Sequence, residues 1–99
     1  MARIPSVYMV CYDIADPARL RLVHRIMRGY GDAIQKSVFR CELSDRQCAL
    51  MKGRLIDAVK HSEDQVLILR TGTVVSDRSW QVETIGLPLQ YPDQVVMVY

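Results

Sequence analysis

The chain has 99 residues, of which 49% are apolar and 24% charged, and a formal net charge of +2. That length holds a single domain with one modest core, and the near balance of charge excludes an acidic solvating tail and a histone-like basic protein. Ten of the thirteen basic residues are Arg, whose planar fork suits phosphates and carboxylates better than Lys does.

Residues 7–12 (VYMVCY) form a nearly unbroken apolar run, the pattern of a central strand buried on both faces. The run ends at Asp13, and Asp16-Pro17 follows as an N-cap with proline at the first helical position. The helix is expected to reach about Arg28, with Gly29 and Gly31 stopping it. Leu20, Val23, Met27 and Tyr30 make its buried stripe, while Arg21, Arg25 and Arg28 line another face. Residues 33–43 are strand-like but long for one strand, so two short strands with a bend near Ser37 are expected. Ser44-Asp45-Arg46-Gln47 matches a capping box. It opens a second helix that buries Cys48, Met51, Leu55 and Val59 and ends near Lys60. Residues 65–71 (QVLILRT) read as a second buried strand. Residues 72–79 are loop-like and 80–85 a further strand. Residues 95–99 (VVMVY) are a short apolar strand that needs a sheet edge, in its own subunit or in a partner.

Strand, helix, two strands, helix, strand is the ferredoxin-like βαββαβ order. The expectation is therefore one α/β (α+β) sandwich over residues 1–99, with a core at about 7–71 and an extra C-terminal strand. Two helices cover one face of the sheet. A second copy is expected on the other, as a sheet-to-sheet homodimer. No apolar run approaches the roughly 18 residues that cross a bilayer, and residues 1–5 lack the apolar stretch of a signal peptide. A cytoplasmic location with reduced thiols follows as the expectation.

Cys11, Cys41 and Cys48 contain no CxxC pair and read as small buried hydrophobes. His24 and His61 stand at no metal-ligand spacing, and neither lies near a nucleophile in sequence, so histidine acid–base chemistry finds little support. Walker, GxSxG, HExxH and GxGxxG motifs are absent. Asp13, at a strand end, is either the carboxylate of a local turn or a metal ligand. Two copies brought together by a two-fold axis would suffice, with waters, for magnesium. The Arg21, Arg25 and Arg28 stripe, with Arg19 at the helix start, is either a solvated face or a set of phosphate contacts. Lys36 and Arg40 could extend it from the next strand, and Arg70 and Arg78 from the late loop. Tyr12 and Phe39 read as core aromatics ahead of base-stacking platforms.

The strand end Tyr12-Asp13-Ile14, then Asp16 with its Arg-bearing helix, Gly29-Tyr30-Gly31 and residues 34–43 (IQKSVFRCEL) together closely resemble the Cas-two family of CRISPR-associated proteins. The likeness covers residues 7–71. It implies a ferredoxin-like fold dimerised through its sheets, with the C-terminal strand completing the partner's sheet. It also implies that Asp13 pairs across the two-fold and holds one Mg2+ (or Mn2+) ion. The activity implied is a metal-dependent endonuclease on RNA or DNA, serving spacer acquisition. The alternative implied is a non-catalytic adaptor bridging Cas-one integrase dimers on DNA, and a lesser one is a VapD-type interferase toxin.

Overall fold

The apolar run and the Asp-Pro cap do what their pattern demands. They give β1 (Ser6–Asp13) and α1 (Pro17–Arg28), with the Asp16 side chain accepting from the Arg19 N–H at 2.9 Å. β2 (Asp32–Gln35) and β3 (Val38–Leu43) follow, separated by a turn at residues 36–37 as expected. Ser44 then caps α2 (Asp45–Ala58) in a complete capping box with Gln47. The chain continues through β4 (Gln65–Thr73), β5 (Val82–Thr84) and β6 (Val96–Val98). The computed structural model describes residues 4–75, 82–89 and 96–98.

β1 to β4 form one antiparallel sheet in the order β2-β3-β1-β4, the ferredoxin-like arrangement. Strand alternation sends Tyr8, Val10 and Tyr12 of β1 and Phe39, Cys41 and Leu43 of β3 to one face. There they meet Val23 and Met27 of α1 and Cys48, Met51 and Leu55 of α2 in a single core. Both helices therefore lie on that face. Burial, with Asp32 and Cys48 nearby, pushes the Cys41 thiol up to about 11, so it is an inert core residue.

Several expectations change. β4 is an edge strand of the sheet. Val66 and Ile68 pack on the core, but Leu67 and Leu69 on the opposite face are 48% and 51% exposed. Leu20 is exposed instead of joining the buried stripe of α1, and Val59 is half-buried against the core. β4 also continues past Thr71. Val7 pairs with Gly72 and Tyr8 with Arg70, so the ladder is interrupted there, and Gly72 takes φ 151. The C-terminal strand pairs parallel with β5 of its own chain, in a separate two-stranded sheet. The ends of the two late strands expected at 80–85 and 95–99, namely residues 80, 81, 95 and 99, lie outside the described residues.

Gly31 permits the close approach of the α1–β2 connection to β3. A Cβ there would stand 2.5 Å from both the Arg40 carbonyl oxygen and the Cys41 sulfur. Gly53, inside α2, has no such neighbour within 4 Å. In chemical denaturation, Gly31→Ala should lower stability by about 1–3 kcal/mol through overpacking. Gly53→Ala should raise it by roughly 0.5–1 kcal/mol through helix propensity.

Candidate functional site

Tyr12 ties the end of β1 to the β2–β3 turn. Its N–H donates to the Ser37 carbonyl at 3.0 Å and its hydroxyl to the Lys36 carbonyl at 3.0 Å. This holds the turn beside α1 and opens a cleft of about 670 Å³ between them. Asp13 and Ile14 stand at the strand end of this cleft, and Lys36 and Ser37 at its turn side. The helix contributes Leu20, Arg21, His24, Arg25 and Arg28. Positions 21, 24, 25 and 28 fall at i, i+3, i+4 and i+7, so they share one helical face.

The fold thus gathers Asp13, Arg21, Arg25, Arg28 and Lys36 around one cavity, although Lys36 follows Asp13 by 23 positions. All five are exposed. The Asp13 carboxylate has no hydrogen-bond or ion-pair partner among the described residues. Four cations that can only donate hydrogen bonds line the same cavity, and donors of that kind match the chemistry of phosphate oxygens. Among the described residues no group of three or more His, Cys, Asp and Glu side chains could hold a metal. Among the described residues of one chain, then, the cleft offers a divalent cation a single carboxylate, at Asp13. That fits magnesium, which keeps its waters and shares its remaining positions with substrate phosphate or a second carboxylate.

Arg19 and Arg40 do not reach this rim. Arg19 lies against the α2–β4 turn, its Nε donating to Asp64 at 2.8 Å and its Nη2 to Asp64 and Glu63 at 3.2 Å. Arg40 alternates with Phe39 and Cys41, so it points away from the helices. It is 5% exposed and donates from Nη1 to Glu42 at 2.7 Å. Arg70 donates from Nε to the Ser6 hydroxyl at 3.1 Å, and Arg78 lies outside the described residues. Tyr12 and Phe39 are core residues, as expected, with stacked rings 6.2 Å apart.

The family model for CRISPR associated protein Cas2 matches residues 6–79. The chain belongs to the Cas2 family. Among curated Cas2 proteins, the CRISPR-associated endoribonuclease Cas2 1 of Rhodospirillum rubrum is 36% identical over 91 residues, spanning 92% of this chain and 88% of the relative. The crystal structure of Streptococcus pyogenes Cas2 superposes with a TM-score of 0.60 at 29% identity, over 64% of this chain and 82% of that one. A hypothetical protein of Thermus thermophilus does so with a TM-score of 0.66 at 28% identity, over 68% and 82%.

Two residues of this Cas2 chain were not placed at the site from sequence, and one of them, His24, was set aside there. His24 enters the cleft from the helix, a position its i+3 spacing from Arg21 already encoded. Asp64 holds the loop after Asp13 from a distance no local pattern reveals. Its buried carboxylate accepts from the Ala15 N–H at 3.0 Å and the Lys60 N–H at 2.8 Å as well as from Arg19. The Arg19 hydrogen bond, aided by those two amides, holds Asp64 well below the usual carboxylate range. A carboxyl depressed on folding stabilises the protein above its unfolded-state value, and that contribution is lost as pH falls toward the folded-state value. Asp64→Asn should therefore lower the melting temperature at neutral pH, with the gap to wild type narrowing below about pH 4.

Proposed function

We propose that this Cas2 chain binds nucleic acid through its phosphates in the cleft beside Asp13 and hydrolyses a phosphodiester there with Mg2+ or Mn2+, in the service of spacer acquisition. The observation that carries this is that Asp13, exposed and with its carboxylate unpaired among the described residues, lines the same cavity as Arg21, Arg25, Arg28 and Lys36. The cations take the phosphate oxygens and set the backbone in register without reading bases. Asp13, with its counterpart in a second copy, would hold the ion. When bound, such an ion polarises a phosphoryl oxygen and lowers the barrier to attack by water. Arg19 has a structural task in this scheme, binding Asp64.

The second copy sits on the sheet face away from the helices. Leu69 pairs with Met9 and Leu67 with Cys11 across the β1–β4 ladder, so these four side chains share that face. A homodimer covering it accounts for the two exposed leucines.

The adaptor reading is favoured by one observation, the single carboxylate that each chain brings to the cleft. In that reading the same basic rim holds DNA between Cas-one integrase dimers, and Asp13 is dispensable.

Four measurements test this. Asp13→Asn should reduce metal-dependent cleavage of RNA or DNA by about 100-fold or more while folding is preserved. Integration with the Cas-one partner that survives Asp13→Asn, beside a wild type that cleaves nothing, would favour the adaptor. Arg21→Ala with Arg25→Ala should weaken binding to unrelated sequences alike and flatten the salt dependence by about one unit of slope per lost contact. Leu69→Glu should shift a dimer toward monomer in sedimentation experiments, and an unchanged dimer would place the interface elsewhere.

A further inference from the structure

Resting on the hydrolytic reading above, we propose that His24 is a catalytic residue of the cleft, its Nε2 taking the proton of the water that attacks phosphorus. The Tyr12 hydroxyl oxygen lies 3.0 Å from the Lys36 carbonyl oxygen and 3.0 Å from His24 Nδ1. A carbonyl only accepts, so the single phenolic proton sits on that bond. The phenolic oxygen must then accept from Nδ1–H. In the neutral ring the remaining lone pair is on Nε2.

The imidazole is half-buried and braced edge-on against Phe39, with ring centroids 5.4 Å apart at 69°. It lines the cleft, and Nε2 hydrogen-bonds to none of the described residues. Among the described residues the cleft otherwise lacks a free neutral base. Arg21, Arg25, Arg28 and Lys36 only donate, and phosphate oxygens match them. The Asp13 lone pairs serve the cation. A bound water needs an acceptor, and His24 supplies one held in a single tautomer by neighbours from β1 and the β2–β3 turn.

The step balances without a further reactant. The water oxygen forms its bond to phosphorus as its proton passes to Nε2. The bond from phosphorus to the leaving oxygen breaks with its electron pair on that oxygen, which takes a proton from solvent. His24 then returns its proton to solvent. The titratable and charged groups facing the ring or sharing its cleft are Tyr12 and Asp13 from β1, Arg21, Arg25 and Arg28 from α1, and Lys36 from the turn.

The test compares wild type, Asp13→Asn, His24→Asn and His24→Gln on single-stranded RNA and duplex DNA oligonucleotides with Mg2+ or Mn2+. Single-turnover rates are followed against pH, and affinity is measured in chelator. His24→Asn keeps a donor near Nδ1 for Tyr12, and His24→Gln places an amide near Nε2. Both should slow cleavage by about 100-fold or more, leave affinity unchanged with the protein still folded, and flatten the acid limb of the rate profile. Nitrogen-15 NMR, simplified by the presence of only two histidines, should place the neutral proton of His24 on Nδ1, and Tyr12→Phe should release that preference. Both His24 variants cleaving within about threefold of wild type while Asp13→Asn is inactive would overturn the role of His24 and leave the hydrolytic reading standing. A proton on Nε2 in the wild type would also overturn it. A wild type that cleaves neither substrate with either metal would remove the hydrolytic reading and this inference with it.

Discussion

Tyr12 is the side chain on which the architecture of the cleft depends. Its ring belongs to the core, 5% exposed and stacked on Phe39. Its backbone and hydroxyl, however, hold the β2–β3 turn through two carbonyls and meet His24 of α1. Burial raises the pKa of the phenol, so the proton it donates to Lys36 is retained across the ordinary pH range. One residue thereby connects the central strand, the turn carrying Lys36 and the helix carrying three of the four cleft cations. The hydrophobic anchor determines where the ring sits, and the hydrogen bonds determine what surrounds Asp13, the next residue along.

Much of this arrangement could be read from the chain. The Asp16-Pro17 and Ser44–Gln47 signals locate two helix starts because capping chemistry is local. The central strand declares itself by apolar residues on both faces. What stayed hidden depended on partners distant in sequence. Arg19 and Arg21 look equivalent in the stripe, but Asp64, 45 positions from Arg19, takes the first out of the cleft. Arg40 looked available until strand alternation turned it away from the helices and toward Glu42. Leu20 matched the apolar period of α1 but sits where the helix borders the cleft. β4 has the composition of a fully covered strand, and only topology places it at an edge.

The cleft shows how a modest net charge conceals strong local asymmetry. A chain of formal charge +2 concentrates Arg21, Arg25, Arg28 and Lys36 around one cavity, while Arg19 and Lys60 are neutralised by Glu63 and Asp64 on the other side of the β1–α1 loop. On the proposed reading, such a field would draw a polyanion toward the cleft ahead of close contact. Helical spacing makes this possible within one element, since an eight-residue stretch brings three guanidinium groups and an imidazole to a common face.

The Asp64 carboxylate also links parts of the backbone that sequence keeps far apart. It receives the amide protons of Ala15 and Lys60 at once, so neither hydrogen bond opens without disturbing the anion that the other uses. Amide hydrogen exchange is the observable that reads such a link, because loss of the Asp64 anion removes at one stroke the acceptor used by the loop leaving β1 and by the turn leaving α2.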